Sequence, residues 1–355
     1  MDVGMSRQAL IDAPPFGLSQ DEKAPLFRAT IDDLTRYHAD HCDGYRRIVE
    51  GAFPSAHRAR DDLAQAAFLP VGLFKSHDLR SISDAELFKT VASSGTTTGR
   101  PSRIVLDRAA AALQAGVLAK LLSTVVGPKR LPMLVVDSPP GGGPAIDARY
   151  AATVGVMPLG RDALFCFDDR MQIREEALSV WLREHPGPKL VFGFTFVVWS
   201  WLQGLGAVEI DLSESILLHT GGWKKLQDVS VAPAVYKATL RSRTGLQRVH
   251  NFYGMAEQVG TVFLECEQGV LHAPALADVI VRDELAWQPV APGGSGVIQS
   301  LSVLPTSYPG HSILTEDLGT LVARDGCACG RRGTAFRVLG RVPRAELRGC
   351  SDTRS

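Results

Sequence analysis

Apolar positions recur at helical spacing early in the chain, through Leu26-Phe27, Ile31, Leu34 and Tyr37 and then Tyr45, Ile48-Val49 and Phe53. Residues 1–90 therefore predict a mostly helical N-terminal region. Pro70-Val71-Gly72-Leu73-Phe74-Lys75 interrupts that period, and the pattern then alternates between two kinds of segment. Asp107 to Val126 and Met171 to His185 read as helices, the second ended by Pro186-Gly187-Pro188. Leu131 to Val136, Leu190 to Phe194 and Ser215 to His219 are short apolar runs, which predict buried strands. Helix alternating with buried strand is the signature of an α/β core, assigned here to residues 91–278. From about Val279 the segments shorten and are rich in Val, Leu, Gly and Pro. They predict a smaller β-rich lobe over 279–340, followed by a short polar tail, 341–355.

Composition narrows the partners. The chain has 355 residues, 45% of them apolar and 21% charged, enough for a large buried core in two or three lobes. Lys+Arg and Asp+Glu balance at 38 each, so no basic footprint for nucleic acid or an anionic membrane is expected. The start, MDVGMSRQALIDAPPF, lacks a basic region followed by an apolar run, and no uninterrupted apolar segment approaches spanning length. A cytoplasmic protein acting on a small molecule is the expectation. Six cysteines in a chain of this length point to reactivity or metal binding rather than to a disulfide framework.

Candidate chemistry begins at Ser93-Ser94-Gly95-Thr96-Thr97-Thr98-Gly99, followed by Arg100, Pro101 and Arg103. Glycines allow close backbone approach to an anion, and hydroxyls with successive N–H groups supply donors, so this run suits a polyphosphate. It lacks the Lys-Ser or Lys-Thr pair of a Walker A loop, and a mobile surface connection is the alternative reading. Asn251-Phe252-Tyr253-Gly254-Met255-Ala256-Glu257 places a flat aromatic, a glycine and a carboxylate together, as a purine, its phosphates and a magnesium ion require. Phe194, Phe196, Trp199 and Trp201 form an aromatic concentration that is either core or the wall of an apolar acyl tunnel. Cys266 and His272 precede Cys327 and Cys329 in a Gly-rich turn. Together the four would complete a closed tetrahedral Zn²⁺ site; independent reduced thiols are the alternative.

VASSGTTTGRP closely resembles the phosphate-binding loop of the adenylate-forming superfamily, which includes acyl-CoA ligases, luciferases and acyl-protein synthetases. Tyr253 to Glu257 resembles its aromatic-Gly-x-Thr-Glu motif, with Ala256 in place of Thr. By that resemblance Tyr253 packs on adenine, Gly254 is an ATP-binding residue and Glu257 helps hold Mg²⁺. Thr220-Gly221-Gly222-Trp223 is similar to the adenine-side glycine segment, with Gly221 and Gly222 as the binding residues. Leu314 to Gly319 is similar to the Thr-Gly-Asp motif with Glu316 replacing glycine, so Asp317 would bind the ribose hydroxyls. Gly340-Arg341 resembles the hinge whose arginine contacts ribose or phosphate.

After Arg341 only VPRAELRGCSDTRS follows, where the superfamily continues into a mobile domain bearing a catalytic lysine. That ending, with FLPVGLFK, VFGFTFVVW and HTGGWK, resembles the LuxE-type acyl-protein synthetase branch, related to phenylacetate-CoA ligases. The resemblance implies an α/β fold: the large N-terminal domain of an adenylate-forming enzyme with a smaller β-rich lobe, the mobile C-terminal domain essentially absent. It also implies ATP- and Mg²⁺-dependent activation of a carboxylic acid, with a fatty acid as the expected substrate. Cys350, flanked by Arg348 and Arg354, would then take the acyl group as a thioester for an acyl reductase or carrier protein. Two other readings stay open. One is an aryl- or acyl-CoA ligase of the phenylacetate type, and the other is a non-catalytic nucleotide-binding subunit.

Overall fold

In the computed structural model of the chain, residues 3–54, 62–93, 101–139, 148–206, 210–223 and 230–342 are described. The N-terminal periodicity gives α1 (Val3–Asp12), α2 (Gln20–His41) and α3 (Asp43–Ala52). Helix α2 starts at a capping box: the Ser19 side chain accepts from the Glu22 N–H, and the Glu22 carboxylate accepts from the Ser19 N–H at 2.8 Å. Beyond it come β1 (Leu69–Pro70), α4 (Leu73–Ser76), the antiparallel pair β2 (Lys89–Ala92) and β3 (Arg103–Leu106), and α5 (Arg108–Val126). Tyr45, Val49, Leu69, Phe74, Ile104 and Tyr308 meet in one buried apolar cluster, which is where α3 delivers its inward face.

Contacts between Cα atoms divide the chain into two units, Met1–Leu118 with Gly254–Ser355, and Ala119–Tyr253. The second unit carries β4 (Leu131–Val136), α6 (Ala148–Val156), β5 (Gly160–Phe165), α7 (Glu175–Glu184) and β6 (Leu190–Phe194). After them come α8 (Thr195–Gly204), β7 (Ile216–Thr220), α9 (Pro233–Thr244) and β8 (Arg248–Tyr253). These strands run parallel in the order β5-β4-β6-β7-β8. Every residue of β6 and β7 is buried, which is why both read as unbroken apolar runs rather than alternating ones. Helix α7 begins at Glu175 rather than at Met171. The Asp168 carboxylate accepts from the N–H groups of Arg170 and Gln172, and Met171 takes φ 58°, so a tight turn occupies the residues that the periodicity assigned to helix.

The first unit resumes with β9 (Phe263–Glu265), β10 (Leu271–His272), β11 (Ala277–Arg282), β12 (Ser295–Ser302), β13 (Ser312–Arg324) and β14 (Thr334–Arg341). They pair antiparallel in the order β11-β12-β13-β14-β10-β9, with β1 added parallel to β13 through Leu69↔Ile313. Parallel strands under crossover helices in one unit, and antiparallel strands in the other, make a mixed α/β protein. Helix α5 is interrupted by Gln114 and Lys120, so it is not an uninterrupted apolar segment. Helix α5 has 19 residues with a most apolar window of mean hydropathy 1.6, so by length and composition it could cross a membrane. One face of it buries Val117, Leu121, Leu122 and Val125, and 39% of the apolar window is buried.

Candidate active site

In the second unit the carboxyl ends of β6, β7 and β8 lie side by side, the edge at which open parallel sheets place ligands. Thr220 pairs with Phe252 in register, and its hydroxyl donates to the Phe252 carbonyl at 2.8 Å. This bond holds Gly221-Gly222 next to Tyr253, so three of the sequence-derived nucleotide residues share one edge. Gly221 takes φ +74°, and a Cβ there would sit 3.0 Å from the Phe194 ring. Only glycine satisfies both conditions without displacing the aromatic.

In the first unit, β2 and β3 form the stem of the hydroxyl-rich loop. Ser93 N–H donates to the Ser102 carbonyl at 3.1 Å, and Ser102 N–H donates to Ser93 Oγ at 2.9 Å. Ser94, Gly95, Thr96, Thr97, Thr98 and Gly99 lie outside the described residues, as does Cys350. Glu257 sits in a 3-10 turn (Ala256–Gln258) and is 6% exposed. The next residue anchors that turn, since the Gln258 amide donates to the carbonyls of Ser300 and Gly310 and accepts from the Ser300 hydroxyl. Gly254 also needs its missing side chain, because a Cβ would meet the Thr261 carbonyl at 3.1 Å and Val262 at 3.2 Å. Asp317 and Arg341 face each other across the β13–β14 ladder, with Arg341 Nε 3.8 Å from Asp317 Oδ1. Both are partly exposed, leaving a carboxylate and a guanidinium presented together, which suits a vicinal diol beside a phosphate.

Cys266, His272, Cys327 and Cys329 also converge in the first unit, with their ligand atoms all within 4.8 Å of one another. Cys266 Sγ is 3.9 Å from Cys327 Sγ, and Cys329 Sγ is 3.4 Å from His272 Nε2. Tetrahedral ligands at ordinary Zn–S bond lengths stand about 3.8 Å apart, so the set already has the size of a zinc shell. Two turns create it. One is the β9–β10 turn, closed by Cys266 N–H to the Val270 carbonyl, and the other is the β13–β14 turn, closed by Gly330 N–H to the Cys327 carbonyl. Burial, reinforced by Arg331, pulls the His272 pKa down to about 4, so its ring is the neutral form that a metal takes.

Sequence reasoning passed over one group. His219, Thr195 and Tyr236 cluster with Trp199 and Trp223 beside the end of β7. A histidine closing the apolar run SILLH was the available signal.

The comparisons with known proteins agree on this architecture. The family described as acyl-protein synthetase, LuxE, matches residues 5–355. A long-chain-fatty-acid–luciferin-component ligase from Vibrio harveyi is 22% identical over 341 residues, covering 94% of this chain and 88% of its own. Among solved structures, an open conformation of 2-hydroxyisobutyryl-CoA ligase with 2-HIB-AMP and CoA superposes with a TM-score of 0.70 at 17% identity, over 92% of this chain and 76% of that one. ATP-bound MatB from Rhodopseudomonas palustris gives 0.51 at 13% identity, over 74% of this chain and 49% of that one.

Proposed function

The chain belongs to the acyl-protein synthetase (LuxE) family and is a ligase of the adenylate-forming fold, and from this premise we propose that it activates a fatty acid, long-chain by preference, and passes the acyl group to Cys350. Gly221, Gly222 and Tyr253 at the carboxyl ends of adjacent parallel strands carry this reading. Tyr253 packs on adenine with Gly254 following it. Asp317 accepts from the ribose hydroxyls, while Arg341 beside it carries a positive charge towards ribose or phosphate. Ser93 to Gly99 supply the phosphate donors.

A carboxylate oxygen of the acid attacks the α-phosphorus of ATP, and the bond to the bridging oxygen breaks. Pyrophosphate leaves and an acyl-adenylate remains. Glu257 is the residue that would hold Mg²⁺, whose charge would offset that gathering on the leaving group. Hydroxyl and N–H donors of the loop would act at the same point, where charge develops. The Cys350 thiolate then attacks the acyl carbonyl, the bond to phosphate oxygen breaks, and AMP leaves a thioester. A fatty acid is favoured by the activity named for the Vibrio harveyi relative. The acyl group goes on to a reductase or a carrier protein, in the cytoplasm.

We further infer that Cys266, His272, Cys327 and Cys329 hold a structural Zn²⁺. Three thiolates and one imidazole fill a tetrahedron, so the metal would fasten turns rather than activate water.

Exchange of labelled pyrophosphate into ATP, dependent on added carboxylic acid, tests adenylation. Labelled acid with ATP is expected to mark the protein through a hydroxylamine-labile bond, and Cys350→Ser is expected to abolish the mark while sparing exchange. Full labelling of the serine variant would remove Cys350 from the role. Transfer to coenzyme A instead of to the protein would favour a CoA ligase of the phenylacetate type, and no exchange with any acid a non-catalytic subunit.

A further inference from the structure

The four residues Cys266, His272, Cys327 and Cys329 differ in exposure. His272 is fully buried and Cys266 is 1% exposed, whereas Cys327 and Cys329 are half-buried. Val270 and Ala335 pack with Cys266 from behind, and Val322 and Ala323 adjoin them. A solute arriving from water therefore meets a sulfur of the Cys327–Cys329 turn first, with the Cys266 sulfur behind it.

The two half-exposed sulfurs are held differently. Cys329 Sγ accepts from the Arg331 N–H at 3.4 Å and lies 3.4 Å from His272 Nε2. Cys327 Sγ lies 3.9 Å from Cys266 Sγ, a residue 61 positions away in sequence. A disulfide sets its sulfurs about 2.05 Å apart, so this pair has to close by about 2 Å. The two cysteines sit on separate turns, β9–β10 and β13–β14, and each turn can contribute part of that distance. Bridging Cys327 to Cys329 would instead close a ring inside one tight turn, which the Gly330 N–H to Cys327 carbonyl bond at 3.1 Å already fixes.

The cluster also ties down the segment between α1 and α2. The Arg331 guanidinium lies over the Phe16 ring, 4.5 Å from its centroid, and that ring meets His272 edge-on with centroids 6.2 Å apart. The Ala275 N–H donates to the Pro15 carbonyl at 2.7 Å, and the Arg332 N–H donates to the Phe16 carbonyl at 3.2 Å. Pro15 and Phe16 are thus strapped to residues that directly follow His272 and Cys329.

We propose that Cys327 and Cys266 form a hydroperoxide-sensitive modification site, at which oxidation joins them as a disulfide, releases the metal and loosens the Pro15-Phe16 strap. The inference rests on the zinc reading and adds a reaction to a site given only a structural role. The Cys327 thiolate attacks one oxygen of the hydroperoxide and the O–O bond breaks. The other oxygen leaves as hydroxide or alkoxide and takes a proton from water, while Cys327 becomes a sulfenic acid. The Cys266 thiolate then attacks that sulfur, the S–O bond breaks, and hydroxide leaves and is protonated to water. The two sulfurs together give up two electrons, and the peroxide takes them. A disulfide sulfur is no longer the thiolate that zinc requires, so the ion keeps only His272 and Cys329 and dissociates.

The test treats the zinc-loaded full chain with hydrogen peroxide. Zinc freed to a colorimetric indicator is measured, bridges are mapped by mass spectrometry of a non-reduced digest, and hydrogen exchange is followed at the Ala275 and Arg332 amides. Release of about one zinc per chain is expected, with a Cys266–Cys327 bridge. Exchange at both amides should speed up about tenfold or more. Dithiothreitol with added zinc should reverse all three changes. Zinc retained at peroxide concentrations that oxidise free cysteine would overturn the inference and leave the zinc reading standing. Release with a Cys327–Cys329 bridge, or with sulfinic acid and no bridge, would do the same. So would a Cys266–Cys327 bridge that leaves both amides as protected as before. Protein that holds no zinc and takes none up would overturn the zinc reading and this inference together.

Discussion

Gly221 shows how one residue joins fold to chemistry. Its positive φ of +74° turns the chain off β7, and the missing Cβ leaves room for the Phe194 ring. Gly221→Ala is expected to cost about 1–3 kcal/mol from the strained backbone, with steric displacement of Phe194 added. Urea denaturation would measure this, and Gly222→Ala serves as the contrast, because a Cβ at Gly222 meets nothing within 4 Å. Equal midpoints for the two variants would refute the argument. The turn after β7 was legible in the sequence, because a Gly-Gly pair closing an apolar run marks a change of chain direction. The surroundings of His219 were not legible. They come from the Thr195 hydroxyl on another element, which no local pattern announces.

At the scale of the element, α2 is fastened by buried polar groups. Beyond its capping box at Ser19, Lys23 is 1% exposed and pairs with buried Asp278 of β11 at 3.2 Å. Burial lowers the Lys23 pKa and Asp278 opposes the drop, so the helix depends on both charges. Lys23→Met should destabilise by about 3–5 kcal/mol because Asp278 is left unpaired, and Lys23→Met with Asp278→Leu should recover much of the loss. A double variant no more stable than the single one would contradict this. Further along α2, His38 is wholly buried, with Nδ1 2.7 Å from the Ser81 hydroxyl and Nε2 3.2 Å from the Pro305 carbonyl. Its native pKa is depressed to about 3 by burial, against 6.5 ordinarily. Above pH 6.5 the ring is neutral in both states and its contribution is complete. As pH falls from 6.5 towards 3 the unfolded chain binds a proton that the native state refuses, so stability declines by up to about 1.4 kcal/mol per pH unit. His219 titrates with the same sign. The urea midpoint should fall between pH 7 and 5, and His38→Gln should flatten part of that fall.

For the whole molecule, the grouping of residues 1–118 with 254–355 was out of reach of a linear reading, since nothing local says which segment β1 will join. Its parallel pairing with β13 is a long-range event. The α/β class was legible because buried parallel strands leave unbroken apolar runs. The cluster of Cys266, His272, Cys327 and Cys329 was legible as residue types, and its meeting depends on two turns, one before β10 and one before β14. Purified protein is expected to contain about one zinc per chain, and a strong chelator should lower the thermal midpoint by several degrees, as should Cys327→Ser. Metal-free protein with an unchanged midpoint would show that the cysteines are independent. The paired serines at the loop stem bear on the molecule in another way. Ser93, the first residue of the hydroxyl-rich segment, and Ser102 beyond its end bond to each other and extend the β2–β3 ladder, so the ends of that segment are fixed by the hairpin. Doubling the length between such fixed ends costs only about 0.6 kcal/mol. Replacing or lengthening what lies between the two serines should therefore leave the β2–β3 register, Lys89↔Leu106 to Ala92↔Arg103, in place.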